Sequence, residues 1–377
     1  MKQRLEQLIG QRIDAIDTPA LVIDLDAMER NLATMAAFAK THGMRLRPHA
    51  KMHKSAYLAK LQMASGAVGV CVQKTSEAEA LAAEGVDDIY ISNEVIAPHK
   101  LQRVAALAHT LHGRGGRLAI AVDSLHGVQA LAQALGTAAP DLIDVFIELD
   151  VGHGRCGVTT PEETVPLARA IREHAPLRFA GLQAYHGRAQ HLRDPVERRD
   201  ALDDVLAKVW RACALLQHAG LHVPLVTGAG TGTFSLEANS GAYGELQAGS
   251  YLFMDADYAR NTPDPAQPVF EHALFIKTQV MSVCATHAVC DAGHKSHAID
   301  SGLPRVHGAA LEFFNGGDEH GVLRGDKLPE IGEVLWLVPG HCDPTINLHD
   351  GMIGVRGGLT NGVVEKIFRV DARGALT

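Results

Sequence analysis

Between Ala20 and Thr227 the chain repeats one pattern: a short apolar run, a stretch with helical spacing, then another apolar run. The runs are Ala20–Leu25, Met44–Pro48, Ala67–Val72, Asp88–Ser92, Leu118–Asp123, Val145–Asp150, Phe179–Tyr185 and Val223–Thr227. The stretches between them carry helix signals. Asp26 with Glu29, and Ser76 with Glu79, have the spacing of a capping box, and Met28, Leu32, Met35 and Phe38 share one helical face. A long helix is expected over Pro195–Ala219. Eight parallel strands that each need a covering helix admit few architectures; the expectation is an α/β fold, a (β/α)8 TIM-type barrel, with a doubly wound sheet as the rival. Such barrels keep their chemistry at the C-terminal strand ends, where the polar motifs of this region fall.

After about Asp255 the helical spacing stops. Ala273–Val280, Glu333–Val338 and Met352–Val355 alternate with Gly-, Asn- and His-rich turns, and Asn361-Gly362 separates Gly354–Leu359 from Val363–Val370 as a hairpin turn would. The expected organisation is a barrel over 17–255 and a β-rich C-terminal domain over 256–377, with residues 1–16 free to join the second. Composition narrows the setting. No apolar run among the 377 residues reaches membrane-spanning length, and Met1–Asp14 lacks an apolar leader core. Six cysteines without paired or zinc-type spacing suit a reducing compartment, so the cytoplasm is expected. A net charge of −8 with scattered basic residues argues against nucleic acid as a partner.

Two islands carry the chemistry. In Arg47-Pro48-His49-Ala50-Lys51-Met52-His53-Lys54, Lys51 ends an apolar strand. A lone lysine there is more often a solvated loop residue, but the surrounding positive cluster would lower its ammonium pKa and attract a phosphate. Such an amine forms an imine with a carbonyl, and Lys54 is the fallback. In Pro339-Gly340-His341-Cys342-Asp343, an extended segment would put His341 and Asp343 on one face, able to grip one cation, with Cys342 opposite. Thr227-Gly228-Ala229-Gly230-Thr231-Gly232-Thr233, after the eighth run, is a glycine-rich turn placed where barrels bind phosphate. Arg155 stands among glycines, either on a bland surface turn or aimed at a phenolate or carboxylate. Of the histidines near Gln183 and Tyr185, His191 lies past the strand end and is the better candidate base.

These residues together resemble the D-threonine aldolase family of fold-type III pyridoxal-phosphate enzymes, which share an alanine-racemase-like barrel and include the D-serine dehydratases. The resemblance runs through Thr18–Leu21, Arg47–Lys54, Ile91–Val95, Val151–Val158, Gly181–Gly187, Thr227–Thr231, Glu245–Asp257, Asp318–Gly321 and His341–Gly351. It implies pyridoxal 5'-phosphate held by Lys51, with Arg155, Gln183, Tyr185, Thr227, Gly230 and Thr231 binding the cofactor. It implies a divalent metal on His341 and Asp343, Mn²⁺ first with Mg²⁺ or Co²⁺ as alternatives, and His191 as base. Gln247 stands where the racemases place an arginine against the pyridine nitrogen. The activity implied is cleavage of a D-β-hydroxy-α-amino acid to glycine and an aldehyde. The alternative is dehydration of D-serine or 3-hydroxy-D-aspartate to a keto acid and ammonia, for which the dehydratases carry cysteine where Asp343 stands. A homodimer is implied too, in which Asp318-Glu319-His320 would reach the partner's substrate.

Overall fold

The computed structural model describes residues 5–377. Met1–Arg4, part of the segment read for a leader, lie outside the described residues. Eight parallel strands form one sheet: Arg45–Leu46, Val70–Val72, Asp88–Ile91, Arg117–Val122, Ile143–Glu148, Leu177–Ala184, Val226–Gly228 and Glu245–Leu246. The last strand pairs with the first through Arg45↔Glu245 and Leu46↔Leu246, and a bridge from His49 to Cys71 joins the first to the second, so the sheet curls round on itself.

The barrel therefore has the expected eight strands, with one of them exchanged. Ala20–Asp24 is not part of it; this strand lies in the second sheet, antiparallel to Leu274–Val283 and parallel to Gly351–Arg356. The eighth barrel strand is the two-residue Glu245–Leu246. A strand buried on both faces reads as a continuous apolar run in either kind of sheet, so Ala20–Asp24 could not be told apart from a barrel strand by composition.

The helix starts also shift. Helix Leu25–Thr41 is capped by Asp24, which accepts from the N–H groups of Asp26 and Ala27 at 3.0 and 3.2 Å. Asp26 and Glu29 are thereby free to bind Arg356 of the second sheet, at 2.9 and 2.7 Å, and the helix is pinned to that domain. In helix Thr75–Ala83 it is Glu77, not the Ser76–Glu79 pair, that takes the orphan N–H groups of Gln73 and Lys74. Helix Pro195–His218 stands as expected, with Asp194 at its cap. None of the described helices is long and apolar enough to cross a membrane.

The second sheet has nine strands, with Ala20–Asp24 and Leu274–Val283 at its centre. Gly351–Arg356 and Val363–Arg369 form the expected hairpin, but its turn spans residues 357–362 and contains a helical turn, Gly358–Asn361. Ile13 and Ile16 pack with Val22, Ile353, Val355 and Val364, which places that part of the N-terminal segment on this domain. Inside the barrel, residues form layers. A floor of Arg45, Arg47, Asp88, Asp144, Arg178 and Glu245 lies below an apolar plug of Cys71, Tyr90, Ala119, Ala121, Phe146 and Ala180. Above the plug, at the C-terminal strand ends, the lining turns polar again.

Candidate active site

The mouth of the barrel encloses a cavity of about 140 Å³. Lys51 enters it from the turn Ala50–Met52, which directly follows the first strand. His341 and Asp343 enter it from the second domain, and Asp343 Oδ2 lies 3.6 Å from Lys51 Nζ. That contact corrects one expectation. Burial disfavours the Lys51 ammonium most strongly of any single cause, but Asp343, Tyr185 and Glu77 together outweigh it, so the pKa lies above the ordinary lysine value rather than below it. Lys54, the fallback amine, is buried and paired with Glu77 at 3.1 Å, away from the cavity.

Arg155 lines the cavity and has no carboxylate partner among the described residues. Its loop is ordered by Asp150, whose Oδ1 accepts from the N–H groups of Gly152 and Gly154 at 2.9 and 3.0 Å, so the glycine-rich stretch is a fixed turn. Gly230 and Thr231 also line the cavity, and their backbone N–H groups find no protein acceptor among the described residues. Ala229 before them has φ +71°, a left-handed conformation unusual for a residue with a side chain. The Thr231 hydroxyl accepts from Tyr251 N–H at 3.0 Å. Behind the loop, Gln190 takes the Gly232 N–H and donates to Thr233.

Tyr185 and Gln183 line the cavity, while Thr227 lies one layer below it. Thr227 Oγ1 donates to Glu245 at 2.9 Å and accepts from Gln247 at 2.8 Å. Gln247 Nε2 also donates to Gln183 Oε1, whose own amide nitrogen donates to Glu148 and to the Ser92 carbonyl. The Ser92 carbonyl can only accept, which orients the Gln183 amide and gives this chain one polarity. Gln247 spends its N–H groups on protein, and its carbonyl oxygen remains for the cavity.

His191 stands on the turn Arg188–His191 with Nδ1 2.5 Å from Asp257 Oδ2. Its Nε2 is left toward the cavity, where a base has to be. Asp257 is itself held by Arg193 at 2.6 Å and by Arg260. His341 repeats the arrangement: Nδ1 meets Asp300 at 2.7 Å, and Nε2 lies 3.7 Å from Asp343 Oδ1. Asp343 Oδ1 is buried and takes no hydrogen bond. The segment is not extended as the spacing suggested. His341 caps a short helix, Cys342–Asn347, and the pair converges because the chain turns at the cap. Cys342 does face the other way, with its buried thiol near the Met254 carbonyl.

The residues fit an aldehyde cofactor bearing a phosphate and a phenolate: one amine, one unpaired guanidinium, and free N–H groups on a glycine-rich turn. They also fit a cation between His341 Nε2 and the unpartnered Asp343 oxygen. A second group, Glu94, Asp123 and Cys156, offers three ligand atoms within 4.8 Å of one another. Burial and Glu94 push the Cys156 thiol up to about 11, so a cation there would have to displace that proton. Asp257, Asp300, Glu94 and Glu148, the last with its pKa pushed up to about 8 by burial and by Glu94, were not found by sequence reasoning. Asp257, Glu94 and Glu148 lay inside segments named there, Glu245–Asp257, Ile91–Val95 and Val145–Asp150, without being assigned a role, and nothing marked Asp300.

The family model described as alanine racemase, N-terminal domain, matches residues 23–257, and a putative serine dehydratase domain matches residues 273–355. The chain is 45% identical over 375 residues to 3-hydroxy-D-aspartate aldolase of Paracoccus denitrificans (strain Pd 1222), covering 97% of this chain and 95% of that one. It is 44% identical over 370 residues to D-threonine aldolase of an Arthrobacter species, with the same coverage. The crystal structure of D-threonine aldolase from Filomicrobium marinum superposes with a TM-score of 0.93 at 45% identity, covering 98% of this chain and 99% of that one.

Proposed function

The chain belongs to the alanine racemase N-terminal domain family, joined here to a serine dehydratase-type second domain, and from that premise we propose a pyridoxal phosphate- and divalent cation-dependent aldolase. It would cleave D-β-hydroxy-α-amino acids of the D-threonine type to glycine and an aldehyde, making it a carbon–carbon lyase. One observation carries the reading: the amine of Lys51 and the His341–Asp343 pair share one small cavity, 3.6 Å apart at Lys51 Nζ and Asp343 Oδ2. When bound, pyridoxal phosphate supplies an electron-withdrawing ring for the charge left at Cα, and the cation supplies a Lewis acid for the β-hydroxyl.

The residues divide the work. Lys51 would hold the cofactor's aldehyde carbon, Arg155 its phenolic oxygen, and Gly230 with Thr231 its phosphate. Gln183 and Tyr185 line the place of the ring, and Thr227 supports it through Gln247. His341 Nε2 and Asp343 Oδ1 would hold the cation; one imidazole and one carboxylate with open positions suit Mn²⁺, Mg²⁺ or Co²⁺ better than a thiolate-loving metal. His191 Nε2 would take the proton of the β-hydroxyl, with Asp257 keeping the other nitrogen protonated. A cytoplasmic homodimer belongs to the same proposal; six free cysteines among the described residues support a reducing compartment.

The deciding measurement is a product balance with D-threonine, Mn²⁺ and pyridoxal phosphate. Glycine and acetaldehyde in equal amounts are expected, and chelation should abolish cleavage while leaving the visible absorbance of bound cofactor. Ammonia and 2-oxobutanoate as the main products would replace the aldolase reading with the dehydratase one.

A further inference from the structure

Two imidazoles on opposite walls of the cavity carry the same device. His191 belongs to the barrel and gives Nδ1 to Asp257 at 2.5 Å; His341 belongs to the second domain and gives Nδ1 to Asp300 at 2.7 Å. In both, a carboxylate fixes the outer nitrogen and leaves Nε2 for the cavity. The supports differ. Asp257 is almost fully buried and is gripped by Arg193, which also bonds the Asp257 carbonyl at 2.7 Å and Asn261 at 2.6 Å. Asp300 is half exposed, and among the described residues its side chain meets, beyond His341, only the neighbouring Ser301 hydroxyl, at 3.0 Å.

One side chain links the two pairs. Arg260 Nη2 donates to Asp257 Oδ1 and, at 2.8 Å, to the carbonyl of Ser301, the residue next to Asp300. Further ties hold the backbone beside His341 but not Asp300: Asp255 accepts from Cys342 N–H at 3.1 Å, Asp257 N–H donates to the Gly340 carbonyl at 3.2 Å, and Ala256 N–H to the Pro339 carbonyl at 2.9 Å. In the proposed aldolase, on which this inference rests, the base and the cation must address the same β-hydroxyl, yet they stand on different domains. Their separation then matters as much as either group, since small misplacements of reacting groups cost large factors in rate.

We propose that Arg260 is a positioning residue that locks the Asp257–His191 and Asp300–His341 pairs into one frame across the joint between barrel and second domain. Free Mn²⁺ measured by electron paramagnetic resonance on the cofactor-loaded enzyme gives a readout independent of turnover. Arg260→Gln should weaken Mn²⁺ binding about tenfold, the scale for partners of a metal ligand, and lower kcat at saturating Mn²⁺ with KM little changed. Asp300→Asn should weaken Mn²⁺ binding as well. If Arg260 acts through the Asp300 turn, adding Arg260→Gln to Asp300→Asn should change the affinity by less than about twofold, the non-additivity expected of coupled sites. Unchanged visible absorbance of bound cofactor in each variant confirms that the barrel is intact. Additive losses, or wild-type affinity and kcat in Arg260→Gln, would overturn the inference while leaving the aldolase reading in place. A wild-type enzyme that is fully active without binding Mn²⁺ or another cation would overturn the metal site itself, and this inference with it.

Discussion

The floor and the mouth of the barrel use the same residue types, and they differ in how the charges are matched. At the floor, Arg45 and Arg47 meet Glu245 at 3.1 and 3.2 Å, Arg47 also meets Asp88, and Arg117 and Arg178 converge on Asp144. Arg47 follows the first strand and Glu245 opens the last, so this cluster clasps the seam where the barrel closes. At the mouth, Arg155 has no carboxylate, and Asp343 Oδ1 and both Glu94 oxygens are buried without hydrogen bonds. An unsatisfied buried polar group costs about 1–3 kcal/mol. Among the charged groups lining the lumen the chain accepts that cost at the mouth; in the plug only the Tyr90 hydroxyl is likewise buried without a partner among the described residues. Saturated pairing marks the end that holds the fold, and unspent hydrogen-bonding capacity marks the end that binds ligands.

The largest expected effect tests the mouth. Lys51→Ala should lose essentially all turnover and the visible absorbance of bound cofactor, with little change in unfolding midpoint, because no other lysine lines the cavity. Normal activity with the cofactor reduced onto a different lysine would end the assignment. The floor should behave in the opposite way. Arg47→Met leaves Glu245 and Asp88 without their buried partner and should destabilise the fold by about 3–5 kcal/mol, read by urea unfolding. Turnover per bound cofactor in the folded fraction should stay near wild type. A variant with normal stability and lost turnover would erase the distinction between the two ends.

Much of this was legible in sequence, because the barrel repeats and each motif lies beside a strand end. Lys51, Arg155, Gly230 and Thr231 are local features of that kind: each needs only the strand before it to be placed. What escaped depends on contacts between distant segments. The exchange of Ala20–Asp24 for Glu245–Leu246 is invisible because pairing partners, not strand residues, decide the sheet. The raised pKa of Lys51 required Asp343, 292 positions away, to come within 3.6 Å. Asp300 sits in a turn with no motif, and its partner His341 lies on a different segment. The His341–Asp343 pair was found by spacing for an extended strand, whereas a helix cap produces the convergence.

Glu237 offers the subtlest test of the contrast, because it is a mouth-side carboxyl buried almost as deeply as Glu245 of the floor but given no cation among the described residues. It stands behind the glycine-rich turn, 2% exposed, where Thr233 donates to one oxygen at 2.7 Å and the other has no partner. Burial pushes its pKa up to about 7 from an ordinary 4.5, against the hydrogen bond from Thr233. The folded chain thus holds this proton more tightly than the unfolded one. Its contribution to stability is fully present below pH 4.5 and is lost as pH rises through about 7, amounting to about 3 kcal/mol above that. Glu237→Gln keeps an acceptor for Thr233 and has no charge to bury, so it should remove this loss. Urea midpoints at pH 5 and pH 8 supply the check, read as the difference between the two proteins because other groups titrate in both. The variant should gain on the wild type at pH 8 and match it at pH 5. An equal loss in both proteins would mean that Glu237 ionises in the folded state at little cost, through a cation or water that reaches it, and that the mouth is as well matched in charge as the floor.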